Sequence, residues 1–370
     1  MSRIGIYTQF SAYIGGGERY ILTLASALQN DHEVSFLCNS PAKYCELSKI
    51  LNIDISNIEL INFNKDNKYR LDYLAIKRDF QYDLFIAMSN HIRPPVIGYG
   101  WKNILHIQFP YPDKNQNIMI RAKNKIEKSI FQHFYDLVVV NSHYTERYVA
   151  SKINHPIMTI FPPVSTKDLA FFLPAHKKNQ IISVGRFVGG GDSKCQLEMV
   201  KIFKNFCDLN PTLNIKYVCV GSEIPEKIHQ DYLRQVKEEA IGYPIEILTD
   251  VTLIELKNLY SQSKVFWHGK GYGAGISHPE YTEHFGISTV EAMFSGCIPI
   301  VFAAGGQLEI VQHEYNGFLW KTEQYLIEKT SEIFKNSEKF SPISKNAHTT
   351  STKFSKEQFV LRIRELITSF

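Results

Sequence analysis

No apolar run in this 370-residue chain approaches the roughly 20 residues that a helix needs to cross a bilayer; the longest, Ile298 to Ala304, contains Pro299. No basic stretch leads into an apolar one at the start. Met1-Ser2-Arg3 runs straight into the strand-like Ile4-Gly5-Ile6-Tyr7, so a secretory leader is not expected. The six cysteines, at 38, 45, 195, 207, 219 and 297, form no C-x-x-C pair and join no histidine cluster, and they read as buried thiols in a reducing compartment rather than a zinc site. D-x-D is absent, so no metal-chelating motif is signalled and no metal is expected. Excess charge is also lacking. The 41 Lys and Arg against 37 Asp and Glu leave +4, too mild for a dedicated nucleic-acid binder but suited to an anionic ligand or lipid surface.

What the chain does have is apolar material for folding, 44% of its residues, with no low-complexity tract. Single cores stop growing near roughly 250–300 residues, so two domains are expected. Short β-branched or aliphatic runs alternate with helical patterns throughout, which is the signature of parallel sheets with crossover helices, an α/β fold. The first series reads as strands at 3–8, 33–38, 58–63, 83–87, 102–107, 136–140 and 157–160, with helices at 18–29, 41–51, 69–79, 114–134 and 143–151. The second reads as strands at 180–184, 215–220, 245–249, 264–268 and 298–302, with helices at 194–208, 227–239, 253–261, 286–295 and 307–312. Thr252 and Glu255 form a capping-box pattern ahead of the helix at 253. Pro162, Pro163, Pro174 and the polar run from Lys177 to Gln180 place a linker at 162–179 and divide the chain into domains 1–168 and 169–353. A last amphipathic helix, 354–370, carries Phe359, Leu361, Ile363, Leu366 and Ile367 and needs a partner to cover them.

Two doubly wound domains suggest a ligand site in the cleft between them, and four features bear on it. Gly15-Gly16-Gly17-Glu18, between the first strand and first helix, lets backbone amides approach a phosphate, or is simply a flexible turn. It departs from G-x-G-x-x-G, and no acid ends the second strand, so a nicotinamide cofactor is disfavoured. Ser183-Val184-Gly185-Arg186-Phe187 ends a strand and is followed by Gly189-Gly190-Gly191 and by Lys194 opening a helix; the two cations suit a diphosphate, or are solvated surface charges. Glu283 and Glu291 lie on either side of a helix start. Eight residues at a helical rise would separate them by about 12 Å, wider than the carboxylate pair of a glycosidase, so they suit opposite ends of an extended ligand, or are an ordinary solvated pair. His106, ending the strand before Gln108-Phe109-Pro110, could donate to a sugar hydroxyl or be a structural histidine.

The block EHFGISTVEAMFSGCIPIVFAAGGQLEIV, Glu283 to Val311, resembles the E-x7-E region of the retaining nucleotide-sugar glycosyltransferases of family 4, which have the GT-B fold of two Rossmann-like domains facing across a cleft. Gly15 to Glu18 resembles that family's glycine-rich donor loop, Ser183 to Phe187 with Lys194 its phosphate-binding Arg/Lys pair, and Asn141 to Thr145 and Phe161 to Val164 its segments before the linker. EHFGI and Phe161-Pro162-Pro163-Val164 are most similar to the α-1,2-mannosyltransferases that elongate lipid-linked glycans. The resemblance implies a cytoplasmic hexosyltransferase that uses a nucleoside-diphosphate sugar, needs no cofactor or metal, and acts on a glycan or lipid-linked saccharide. It implies that Glu283 contacts the donor sugar, Glu291 the ribose, Arg186 and Lys194 the diphosphate, and Gly16 and Gly17 the distal phosphate. His106 would meet the transferred sugar, and the amides of Phe285, Gly286 and Ile287 a phosphate. The glycine insertion before Lys194 departs from the pattern. The helix 354–370 is implied to cross back onto the first domain. Alternatives are a catalytically silent nucleotide-sugar-binding protein or a GT-B-like epimerase or phosphorylase. The basic helix 114–134, with Lys114, Arg121, Lys123, Lys125 and Lys128, is expected either to lie on an anionic membrane at its inner face or to be a core helix with a solvated back.

Overall fold

The computed structural model describes the chain apart from residues 11–14, 112–124, 127, 130–131, 168 and 275–277. Two compact units emerge, Met1–Pro163 with Lys356–Phe370, and Val164–Ser355. The division falls at 163/164 rather than 168/169. The Val164 amide donates to the Phe354 carbonyl at 3.1 Å and Val164 pairs with Ser355, which draws the linker's first residues into the second unit.

The first unit contains β1 (Arg3–Thr8), α1 (Gly16–Leu28), β2 (Glu33–Cys38), α2 (Pro41–Ile50), β3 (Ile58–Asn62), α3 (Lys65–Ile76), β4 (Tyr82–Ser89), β5 (Gly100–Ile107), β6 (Leu137–Val140), α4 (His143–Ala150) and β7 (Ile157–Thr159). Its sheet is parallel throughout, in the order β3-β2-β1-β4-β5-β6-β7. α3 starts four residues before the sequence pattern, because Asn64 caps it by accepting from the Asn67 amide. The helix expected at 114–134 lies largely outside the described residues, Lys114, Arg121 and Lys123 among them. Of its remaining lysines, Lys125 is exposed and Lys128 Nζ donates to the Lys152 carbonyl at 3.1 Å.

The second unit repeats the plan with β8 (Lys178–Val184), α5 (Gln196–Leu209), β9 (Lys216–Gly221), α6 (Lys227–Glu239), β10 (Ile245–Thr249), α7 (Leu253–Gln262), β11 (Ser263–His268), α8 (Ile287–Phe294), β12 (Ile298–Phe302), α9 (Gln307–Ile310), β13 (Phe318–Trp320), α10 (Glu323–Lys335) and α11 (Ser341–Ser351). The sheet order is β10-β9-β8-β11-β12-β13, again parallel. The Thr252–Glu255 capping box is present. β13, α10 and α11 add to the elements read from the sequence; β13 has three residues, too few for a periodicity. Buried Ile181, Val265, Trp267, Ile300 and Trp320 fill the core around this sheet.

The chain ends in α12 (Lys356–Ser369), which belongs to the first unit and packs on α1. Phe359 meets the Tyr20 ring edge-on at 4.8 Å, and Ile363 and Leu366 are buried beside it. Leu361, expected on the covered stripe, is instead half exposed.

Candidate active site

In each unit the strand order reverses beside the first strand, between β1 and β4 and between β8 and β11. Doubly wound sheets leave a ligand crevice there, at the carboxyl ends of the strands. In the second unit this edge gathers Arg186, Lys194, His268, Lys270 and Glu283.

Lys194 does not open α5. Cys195 intervenes with φ 59, and the helix starts at Gln196, so the glycine insertion ends in a left-handed residue instead of a helical turn. The Lys194 stem lies over Gly185, where a Cβ would stand 2.7 Å from its Cγ. Its Nζ reaches Glu283 Oε2 at 2.5 Å. The same oxygen accepts from His268 Nε2 at 3.0 Å. Burial pushes the Glu283 carboxyl up, but Lys194, the His268 hydrogen bond and Lys270 outweigh it and hold the group ionised, well below the usual carboxylate range. His268 is buried and its pKa is lowered by that burial, against the pull of Glu283, so the imidazole is a neutral donor. The Trp320 indole donates to the His268 carbonyl at 3.1 Å and fixes the end of β11.

The Glu283 backbone is held as firmly. Its carbonyl accepts from the Gly306 amide at 2.6 Å, and a Cβ on Gly305, at φ +65, would stand 2.1 Å from that same oxygen. Glu283 therefore occupies its place through two glycines as well as two cationic or polar side chains. α8 begins at Ile287, with Gly286 before it at φ +127; the Phe285 side chain is buried edge-on against Phe354. The expectation that Phe285, Gly286 and Ile287 all begin the helix is thus narrowed to Ile287, whose amide lies in the uncapped first turn. Glu291 is buried within α8 and accepts from Tyr260 Oη at 3.1 Å, so neither glutamate is on a solvated face. Arg186 is exposed two residues beyond β8 and forms no ion pair among the described residues.

In the first unit, α1 begins at Gly16, so Gly16 and Gly17 are its first two residues rather than loop, and Gly15 offers no side chain to cap them. His106 departs from the expectation of a ring facing a ligand. It is 1% exposed, stacked on Tyr20 at 4.0 Å, and burial lowers its pKa to about 3. Gln108 Nε2 donates to its Nε2 at 2.7 Å, and Asn141 Nδ2 donates to Gln108 Oε1 at 3.1 Å. A Cβ on Gly17 would stand 3.9 Å from the Gln108 carboxamide, so Gln108, rather than His106, is the side chain next to the start of α1. Sequence reasoning passed over His268, Lys270 and Gln108. The signal for His268 was available, since it ends β11 as His106 nearly ends β5.

All six cysteines are free, with Cys38, Cys195, Cys219 and Cys297 buried. No helix among the described residues is long and apolar enough to cross a membrane.

A family model described as glycosyl transferases group 1 matches residues 165–350, and one described as glycosyltransferase family 4 matches 14–168. Among characterised proteins, the chain is similar to the GDP-Man:Man(3)GlcNAc(2)-PP-Dol alpha-1,2-mannosyltransferases of Dictyostelium discoideum and Mus musculus. The first is 29% identical over 241 residues, covering 61% of this chain and 46% of that protein. The second is 26% identical over 308 residues, covering 76% and 60%. The chain thus spans about half the length of the curated relatives it matches. Among solved structures, HepE of Anabaena in complex with UDP and glucose is similar over 100% of both chains, with a TM-score of 0.72 and 16% identity, a likeness of fold.

Proposed function

Because the chain belongs to the glycosyl transferases group 1 family, we propose that it moves a hexosyl group, mannosyl in first place, from a nucleoside-diphosphate sugar to a glycan or lipid-linked saccharide with retention of configuration. The observation that carries this reading is Glu283, an ionised carboxylate fixed by Lys194 and His268 at the switch point of the second sheet, with exposed Arg186 two residues beyond β8. An ionised carboxylate accepts hydrogen bonds from sugar hydroxyls. A guanidinium and the uncapped amide of Ile287 suit the diphosphate, and Glu291, steadied by Tyr260, suits ribose hydroxyls.

The bond between the sugar C1 and the β-phosphate oxygen breaks with its electron pair going to that oxygen. The acceptor hydroxyl then bonds C1 from the same face, and its proton passes to the departing phosphate. The protein's part is positioning and stabilisation of the charge on the leaving group. In the first unit the amides of Gly16 and Gly17 are assigned to phosphate, and His106 to a positioning role through Gln108. A metal is given no part, so EDTA should leave transfer intact; a magnesium-reversible loss would overturn that point.

A lipid-linked acceptor requires contact with a membrane, and α3 offers a surface of suitable chemistry. Tyr69, Tyr73 and Ile76 recur at helical spacing, each more than half exposed, with exposed Arg70, Lys77 and Arg78 around them against Asp66 and Asp79. Lys77 Nζ lies 4.7 Å over the Tyr73 ring. Aromatic and basic side chains together suit an anionic headgroup layer at the inner face of a membrane.

The decisive experiment incubates the protein with GDP-mannose or UDP-glucose and a lipid-linked saccharide, and reads the anomeric configuration of the product. A retained α linkage supports the proposal. Stabilisation by a nucleotide sugar without transfer or donor hydrolysis would favour a silent binding protein instead.

A further inference from the structure

Lys270 lies two residues beyond β11 in the turn Gly269-Lys270-Gly271-Tyr272-Gly273, and only 6% of it is exposed. The turn is set tightly. A Cβ on Gly269 would stand 2.8 Å from Met199 Sδ, and Gly271 takes φ +102, a conformation that favours glycine. Desolvating an ammonium is expensive unless acceptors replace the lost water. Lys177 shows how this chain meets that need elsewhere, with Nζ donating to the carbonyls of Ser295 at 2.6 Å and Tyr260 at 3.1 Å. Lys270 has no such arrangement: among the described residues it forms no ion pair within 4 Å and no side-chain hydrogen bond.

The charges around it leave positive charge in excess. Glu283 is already shared by Lys194 and His268. Arg186 and Lys194 are like charges, and Asp192 is the other acid that acts on Lys270. The remaining titratable neighbours are uncharged near neutrality: burial lowers His268, lowers His284 to about 3 and raises the Cys195 thiol to about 11. Three cations thus face two carboxylates, and Oε2 of Glu283 already serves both Lys194 and His268. The surplus positive charge sits buried where the strand order reverses. Burial, reinforced by Lys194, brings Lys270 down to about 8.

The geometry points to Lys270 as a binding residue for the donor's diphosphate, supplying with Arg186 the positive charge that meets the departing β-phosphate while Lys194 remains with Glu283. This rests on the nucleotide-sugar reading given above. A dianion in the site would supply the acceptors that the ammonium lacks and would favour its protonated form, so binding becomes linked to pH.

Calorimetric titration of the wild type, K270R and K270Q with GDP, UDP, pyrophosphate and the two nucleosides, from pH 6.5 to 9.5, tests the assignment. Wild-type affinity for the diphosphate that binds should weaken by about tenfold between pH 7 and 9.5, as the ammonium of the free site deprotonates. K270R, charged throughout, should keep most of the neutral-pH affinity and lose that pH dependence. K270Q should bind the diphosphate at least tenfold more weakly at pH 7, and nucleoside affinity should be the same in all three. Undiminished diphosphate binding by K270Q, or equal losses for nucleoside and diphosphate, would overturn the role of Lys270 alone. If neither the diphosphates nor pyrophosphate bind the wild type, the nucleotide-sugar reading falls with it.

Discussion

Glu283 is a carboxylate whose Oε2 is held by Lys194 and His268 and whose carbonyl accepts from the Gly306 amide, and that restraint makes its replacement informative. Glu283→Gln keeps the shape, the Gly306 contact and the buried setting, and removes the charge that accepts from Lys194 and His268. Turnover should fall by about a hundredfold, the scale seen when one transition-state contact is removed. Affinity for the nucleoside diphosphate should stay within a few-fold, so separate measurement of the two constants checks the assignment; near-normal turnover would remove Glu283 from the chemistry. The residue stood out as a candidate in the sequence because two glutamates flank a helix start within a block that resembles E-x7-E. Its partners did not. His268 and Lys270 lie 15 and 13 residues earlier in the chain and come beside Glu283 only through the fold. His106 illustrates the opposite limit: a strand-end position does not say whether the ring faces out, and here Tyr20 and Gln108 enclose it.

At the scale of elements, alternation of short apolar runs with amphipathic patterns located nearly every strand of both sheets, since buried parallel strands are short and continuous in apolar residues. Helix starts were less legible. Asn64 lengthens α3 by capping it early, and Cys195 delays α5 by taking a left-handed conformation, which is visible only in the dihedral angle. α3 carries the clearest element-level expectation. Replacing Tyr69, Tyr73 and Ile76 by Ser removes exposed side chains and should cost little stability. If this face docks on lipid, the triple variant should lose most co-sedimentation with anionic vesicles at low salt, and the wild type should release at high salt. Equal sedimentation of both proteins would leave α3 without a membrane role.

For the whole molecule, acid should be a more effective denaturant than the mild net charge suggests. Burial holds His106 and His284 neutral, with pKa values lowered to about 3, whereas an unfolded imidazole titrates near 6.5. The unfolded chain therefore binds more protons between those values. The stability these histidines contribute is complete above about pH 6.5 and drains away toward pH 3, at roughly 1.4 kcal/mol per pH unit for each. Glu283, depressed in the folded protein, adds a further loss below about pH 4.5. Chemical denaturation at pH 7, 5.5 and 4.5 should show midpoints falling in that order, and a flat series would contradict the buried neutral state.

The return of α12 to the first unit has a consequence for biogenesis. A ribosome releases Val164–Ser355 as one uninterrupted segment, able to finish folding as it emerges. Residues 1–163 must wait, because Tyr20 and the neighbouring face of α1 find Phe359, Ile363 and Leu366 only when residues 356–370 have been translated. Through that interval the nascent N-terminal portion carries an uncovered greasy seam, the kind of surface that holdase chaperones grip. A premature stop after Ser355 should therefore leave a product that aggregates, even though every residue assigned here to the donor in the second unit has been made.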